Sequence, residues 1–496
     1  MKKALLLSVV ASVAVMAGGD IAPAPVVEEA PASTWEWSGT AKLYYQTMDH
    51  ENYTMGGVKN PNAIVVGNSN DFFDRRSSAA DAGLQLRVSN KDVIAGVGFG
   101  AEMTGLSTLN LVNAGMVTAS MQSAGITVDP NKGFDPDDAL STAWISQAYL
   151  TYGFGNTSFK LGRQELPKSL SPFAFSEGWN IFKNTFEAAL IVNTDLPDTT
   201  LVGAYVNRAN GSLSYAGSIV AITAGTKANH GAGDLADWRN VGDNGTYMLT
   251  AQNKSIAGLT VTGSFYYAPS FAKNGIISGN DSYLSGFGGA AINNGSSDAM
   301  VLWGDLAYAT PDFPVTFGAQ GGFISADTDA ATLTNTLGAP TAELDDTTAW
   351  GLKAGGHFGD FGISAAYTSV DIDDQLSALT VTNFGTAVKS PLYTQQVLNQ
   401  IFIDGHFGDS DTWQIKGTYK GLGGKFVAQY AQSDVAASDD DYSEFDFIYA
   451  TKFNTAYGDL GVKAMWINQS FFANVAGVDS QDDTNNVLRL IASYDF

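Results

Sequence analysis

The chain has 496 residues, with 26 Lys and Arg against 50 Asp and Glu, a formal net charge of −24 and no cysteine. That balance excludes nucleic acid as a partner, since such binding is driven by Lys and Arg neutralising phosphates. The missing thiols exclude disulfides, thiolate metal sites and a lipidated N-terminal cysteine.

Met1-Lys2-Lys3 is a short basic start, and 4–17 (ALLLSVVASVAVMA) is an apolar run with small residues at its end. The run falls short of the roughly 20 residues a spanning helix needs and reads as an export signal peptide, 1–17, cleaved after Ala17. Residues 18–34, rich in Pro, Ala and Glu, read as a flexible periplasmic leader. The remainder, 35–496, reads as one folded unit.

Strand periodicity begins at 37–47, with Ala41, Leu43 and Tyr45 on one face and Thr40, Lys42 and Tyr44 on the other. It recurs in pairs: 80–89 and 93–103 (joined by 90–92), 144–152 and 157–164, 183–192 and 199–207, and 246–253 and 258–268. The pairs 300–310 and 313–324, 348–358 and 361–370, 412–420 and 425–432, and 444–453 and 460–468 follow, before a closing segment at 487–496. These are 18 segments of about 9–11 residues, the length of a tilted bilayer-spanning strand, and the even number of a single-chain bacterial barrel. Segment 397–407 also alternates, as a hairpin arm within a long connection or as an extra strand. The long connections are 48–79, 104–143, 165–182, 208–245, 269–299, 325–347, 371–411, 433–443 and 469–486, alternating with tight turns. The predicted fold is an all-β transmembrane antiparallel β-barrel with short periplasmic turns and long extracellular loops. Hydrocarbon offers no water to backbone N–H and C=O groups, so the sheet must close.

The last ten residues, VLRLIASYDF, alternate apolar Leu488, Leu490, Ala492 and Tyr494 with mostly polar positions and end on Phe496. They resemble the closing strand and assembly signal of outer-membrane barrels, carried here by Tyr494 and Phe496. The signal, SYDF (493–496), and LGRQELPKSLSPF (161–173) running into EGWNIFKNTFEAA (177–189) resemble bacterial porins, specifically the OprD-type and Opr-family major porins of epsilon-class proteobacteria. The resemblance implies a third loop, 165–182, that follows the Gly162-Arg163 strand end, folds inward and narrows the pore. It also implies a homotrimer in the outer membrane of a Gram-negative bacterium. Membrane lipid, lipopolysaccharide, the secretion channel and the barrel-assembly machinery are the implied partners. One departure stands out. OprD-type channels for basic amino acids carry an arginine ladder, whereas this chain has seven Arg (75, 76, 87, 163, 208, 239, 489).

Parity opposite the apolar positions assigns Lys42, Arg87, Glu102, Lys160, Glu187, Asp305, Lys353, Lys416, Lys463 and Arg489 to the lumen wall. A Lys or Arg facing lipid at the midplane costs roughly 2–4 kcal/mol. Arg163 shares parity with Phe159 and Leu161 but lies at a strand end, where it is counted with the lumen wall or snorkels to the interface. On the third loop, Glu165, Lys168, Glu177 and Lys183 are expected to set a transverse field against the wall bases. The plainer alternative is that these charges keep the wall wet and pair with one another.

Acids crowd the long loops at Asp135, Asp137 and Asp138, Asp345 and Asp346, Asp371, Asp373 and Asp374, Asp439 to Asp441, and Asp482 and Asp483. They suit Ca²⁺ or Mg²⁺ bridging to lipopolysaccharide, or simple solvation. No resident cofactor is expected. The four His (50, 230, 357, 406) form no catalytic motif, and 96–100 (GVGFG) lacks the dinucleotide spacing, so an enzyme is not expected. The expected function is passive diffusion of small hydrophilic solutes and ions, with a cation preference argued from net charge. The alternatives are a substrate-specific channel for a sugar, amino acid or carboxylate, with Tyr44 and Trp179 as candidate aromatics, and an adhesin or receptor using the long loops.

Overall fold

The computed structural model describes residues 35–496 except 52–68, 74–77, 108–127, 130–132, 135–140, 179–180, 211–237, 243, 274–290, 294–295, 311–312, 330–331, 335–339, 342–345, 373–378, 386–388, 406–407, 437–440 and 472–482. Eighteen long antiparallel strands close into one barrel, with the short segments Ser69–Asn70 and Trp238–Asn240 added at one end. In chain order they are β1 (Glu36–Glu51), β2 (Ser78–Ile94), β3 (Val97–Ser107), β4 (Ser141–Phe154), β5 (Thr157–Gln164) and β6 (Phe186–Asn193). Next come β7 (Thr199–Asn210), β8 (Thr246–Asn253), β9 (Leu259–Lys273), β10 (Ser296–Thr310), β11 (Phe313–Asp329) and β12 (Thr347–Phe358). The set ends with β13 (Phe361–Ile372), β14 (Ser410–Gly421), β15 (Gly424–Val435), β16 (Tyr442–Asn454), β17 (Asp459–Phe471) and β18 (Asp483–Asp495).

Outward positions are apolar and open: Leu43 is 56% exposed, Leu249 59% and Ile363 58%. A soluble protein would bury them; in a barrel they form the lipid-facing band. Aromatics ring the band at both edges. Trp37, Phe159, Phe317 and Phe361 lie toward the short-turn end, and Tyr247, Trp350, Trp413 and Trp466 toward the long-loop end.

The first expected hairpin differs in detail. Its turn is Ala95-Gly96 rather than 90–92, because both residues adopt positive φ (52° and 82°), the pair a type I′ turn requires. β2 therefore runs on to Ile94, with an irregularity between Asn90 and Ile94. Among the described residues of segment 397–407, which end at 405, none adds a strand to the wall. Gln400–Ile403 is one helical turn, α1, within an inward arm. The third connection spans 165–185 rather than 165–182, since β6 begins at Phe186.

Closure joins β1 to β18, with Thr40 opposite Asp495 and His50 opposite Asn485. The terminal residue completes the ladder. Gly39 N–H donates to the Phe496 carbonyl at 2.7 Å and Phe496 N–H returns to Gly39 at 3.0 Å. The Phe496 ring lies where a side chain at 39 would stand, 2.3 Å from an ideal Cβ. Gly39→Val is therefore expected to unseat the ring and lower the yield of closed barrel. Heat-modifiable gel mobility of refolded protein checks this, with Leu43→Ala on the lipid face as a variant that should close normally.

The lumen contains an apolar core. Inward residues of β7 to β13, including Val202, Val206, Met248, Tyr266, Trp303, Ile324 and Val370, meet Leu166 and Phe173 of the third connection. Val381, Phe384, Leu392 and Ile403 of the seventh join the same cluster.

Candidate functional site: a two-armed constriction

Two connections fold into the barrel, the third (165–185) and the seventh (within 373–409). Phe173 anchors them, its ring centre 5.3 Å from Trp303, 5.7 Å from Tyr266 and 5.6 Å from Phe384. The arms also bond directly. Phe384 N–H donates to the Phe173 carbonyl at 2.7 Å. Asn383 Nδ2 donates to the Phe175 carbonyl at 2.7 Å and to Glu177 Oε1 at 2.6 Å, while its Oδ1 accepts from Phe175 N–H at 3.2 Å.

Each arm is then tied to the wall. Lys42 Nζ on β1 donates to the Ile181 carbonyl at 3.0 Å, and Phe182 packs with Tyr44 and Leu106. Glu444 of β16 accepts from Val397 and Leu398 N–H, both at 2.9 Å, and Phe402 stacks on Tyr442 with ring centres 3.7 Å apart. The arms thus cross the lumen and narrow it.

The loop residues expected at the constriction divide. Glu165 and Lys183 pair with each other at 2.8 Å. Lys168 reaches across to the Ser390 carbonyl at 2.9 Å. Glu177, only 3% exposed, is buried between the arms rather than facing the wall bases. It holds the clasp instead of setting a field across the passage. Trp179 lies outside the described residues.

Among the described residues the wall carries more bases than acids, and the inward acids Asp81, Glu102, Glu444 and Asp446 are buried. Arg87 is paired with Glu102. Lys42 lies 5.2 Å from the Phe182 ring centre, Lys160 3.8 Å from that of Tyr149 and Lys353 3.9 Å from that of Tyr393. Asp305 accepts from the Tyr393 hydroxyl at 2.5 Å. Arg489 Nε donates to Gln46, and Lys463 faces inward one strand away on β17. Lys416 faces inward on β14.

Glu187, expected on the wall, faces outward, and Arg163 takes the outward one of its two expected places. Arg163 Nε donates to Glu187 Oε1 at 2.9 Å, and Arg163 Nη1 to the carbonyl of Ile145, an outward residue of β4. Register explains both. Ala188 and Leu190 of β6 turn inward against the arms, so Glu187 turns outward opposite Arg163. Gly162 permits the local twist; its φ is 125°, and a Cβ there would stand 2.2 Å from the Ala148 carbonyl.

The sequence offers 397–407 as an arm within the seventh connection but shows neither its inward fold nor the part played by Asn383, Lys389 and Tyr393. Lys389 Nζ donates to the Gln396 and Val397 carbonyls at 3.0 and 2.7 Å. Burial pushes its ammonium down to about 8 from an ordinary 10.5, with Glu177 and Glu444 opposing. A lowered value in the docked arm means that docking the charged form is costly. That cost is full below pH 8 and fades as pH rises toward 10.5. Open-channel current noise should therefore fall between pH 8 and 10, and Lys389→Met should flatten that dependence.

Of the acidic loop clusters, Asp135, Asp137, Asp138, Asp345, Asp373, Asp374, Asp439, Asp440 and Asp482 lie outside the described residues. No group of three potential metal ligands occurs among the described residues.

Closed strands, a lipid-facing band and an internally constricted lumen define a porin-type transmembrane β-barrel. No family model and no curated sequence matches the chain. Among solved structures, it is similar to Pseudomonas aeruginosa OccK8 (OprE) at 16% identity, with a TM-score of 0.56 over 93% of this chain and 98% of that one. It is similar also to P. aeruginosa OpdK, solved with vanillate, at 12% identity and a TM-score of 0.57 over the same shares. Acinetobacter baumannii OccAB2 gives 12% identity and 0.56, again over 93% and 98%. The shared property is the 18-strand barrel fold.

Proposed function

We propose that the chain is a non-enzymatic outer-membrane channel that passes small organic anions, carboxylates foremost, by passive diffusion. One observation carries this reading: Lys42, Lys160 and Lys463 line the lumen wall, while the arm acid Glu177 is buried in the clasp and Arg489, equally buried behind Gln46, adds only its field. An anion in the passage meets ammonium groups whose attraction is strengthened by the surrounding low-dielectric wall. The net charge of −24 argued for cations, but selectivity is set where the passage is narrowest, and loop acids act mainly at the mouth. The structure of OpdK with vanillate supports a carboxylate as the solute class. The export signal and the Tyr494–Phe496 end fit delivery to the outer membrane through the barrel-assembly machinery, with the long loops outside. An origin in epsilon-class proteobacteria and a trimeric assembly belong to the same reading.

Swelling of liposomes containing refolded full-length protein tests it. Benzoate and other small carboxylates should enter faster than neutral sugars of similar size. Equal rates would support a general diffusion pore, and no swelling with a confirmed barrel would support a plugged receptor or adhesin.

A further inference from the structure

The outer wall carries a charge cluster where lipid should meet apolar side chains. Arg163 of β5 lies opposite Glu187 of β6, and Glu187 opposite Arg208 of β7, all on the outward face. Arg163 binds Glu187 at 2.9 Å, and its guanidinium lies 4.2 Å from the ring centre of Trp238. Arg208 is 4.0 Å from Glu187 and gives Nη2 to the Trp238 carbonyl at 3.3 Å. The Nε of Arg208 and the indole N–H of Trp238 are buried and find no acceptor among the described residues, so the terminal guanidinium nitrogens are the groups open to a ligand. Two guanidinium groups against one carboxylate leave the cluster positive, and the Arg208 side chain is 41% exposed.

Its height on the barrel matters. Leu161, two residues before Arg163 on the same face, is 60% exposed. At about 3.3 Å per strand residue, the charges lie roughly 7 Å beyond it along β5, toward the long-loop end. The Tyr205–Tyr247 pair, with ring centres 5.1 Å apart, stands just below Arg208. Tyr and Trp mark the headgroup level of a bilayer, where the penalty on Arg largely vanishes.

We propose that Arg163, Arg208 and Trp238 form an outer-wall site for the phosphate headgroup of an anionic outer-leaflet lipid. The proposal rests on reading the chain as an outer-membrane barrel with its long loops outside. A guanidinium fork matches phosphate oxygens. Trp238 backs Arg163 with its ring and holds the guanidinium in place. Glu187 aligns both arginines and competes with the lipid for them.

Native mass spectrometry of the folded full chain in micelles tests the site with three probes: bisphosphorylated lipid A, the same lipid stripped of phosphate, and inorganic phosphate as competitor. One lipid A should be retained, and the stripped lipid should not. R163Q/R208Q should weaken retention about tenfold or more, while Glu187→Gln should strengthen it, a gain that a merely structural cluster would not give. Heat-modifiable mobility confirms that each variant is closed. Retention unchanged in R163Q/R208Q, equal retention of the stripped lipid, or weaker retention in Glu187→Gln would overturn the site. Displacement by millimolar phosphate would make it a free-anion site instead. Loss of an oligomer in R163Q/R208Q with lipid retention intact would assign the patch to a second copy of the chain. Because the readout is lipid mass, failure of the channel reading in the swelling assay leaves this result standing on its own.

Discussion

Replacing Phe173 and Asn383 together by alanine is expected to raise single-channel conductance several-fold while the barrel stays closed. Phe173 holds three rings, those of Tyr266, Trp303 and Phe384, at the centre of the lumen core. Truncating such a side chain costs about 3–5 kcal/mol. Asn383 satisfies Phe175 and Glu177 at once, and losing its amide leaves buried polar groups short of a partner, worth roughly another 1–3 kcal/mol. The two residues share one contact network, so their effects need not add. Neither belongs to a wall strand, and the β1–β18 seam does not involve them. The cost therefore falls on the docked state of the arms and spares the sheet. Planar-bilayer recording of the double variant, with gel mobility as the check on closure, decides the matter. Wild-type conductance in a closed double variant would mean that the arms do not set the narrowest point.

The barrel was legible because its physics is local. Lipid demands an apolar residue at every second outward position, and hairpins demand turn residues, so both leave a period and punctuation in the chain. Tyr44 and Lys42 against Leu43 and Tyr45 show the pattern cleanly, and the structure turns them inward and outward accordingly. The arms leave no such trace. Asn383, Lys389 and Tyr393 sit in a long connection with neither helical nor strand period, and they are buried only because distant strands surround them. The arms also blur the parity rule on the wall they cover. Where Val202, Val206, Met248 and Ile324 pack inward against them, the inner face is as apolar as the outer. Parity misplaces Glu187 for this reason: its neighbours Ala188 and Leu190 look lipid-facing in sequence and are arm-facing in the fold. Glu177 looks like a field-setting acid in sequence because nothing local shows that Asn383, some 200 positions away, covers it.

Neutralising Lys42, Lys463 and Arg489 to glutamine is expected to shift the ion preference toward cations by about fivefold to tenfold at 0.1 M salt. The estimate follows from Coulomb energies. A unit charge about 4 Å from a permeating anion contributes ~1 kcal/mol in bulk-like water and ~4 kcal/mol near a protein wall. The anion is near only one base at a time and passes the others at longer, screened distances, so the three together contribute about 1–1.4 kcal/mol on average, and about 1.4 kcal/mol is a tenfold change. Lys42 and Arg489 face the lumen from the two strands of the closing seam, and Lys463 from the strand beyond, so their fields overlap. Glutamine keeps a polar tip but is too short at position 42 to hold the Ile181 carbonyl, so the salt dependence has to separate charge from shape. Screening supplies an internal control. The Debye length falls from about 10 Å at 0.1 M to about 3 Å at 1 M, so the difference between variant and wild type should shrink sharply at the higher salt. Reversal potentials across a KCl gradient at the two ionic strengths measure both quantities. If the shift were absent at 0.1 M, the wall bases would be spectators, and selectivity would have to come from the arms or the mouth. A shift of equal size at both salts would point to altered pore shape rather than altered field. Only a shift that fades with salt, together with slower benzoate entry, assigns solute choice to these three residues.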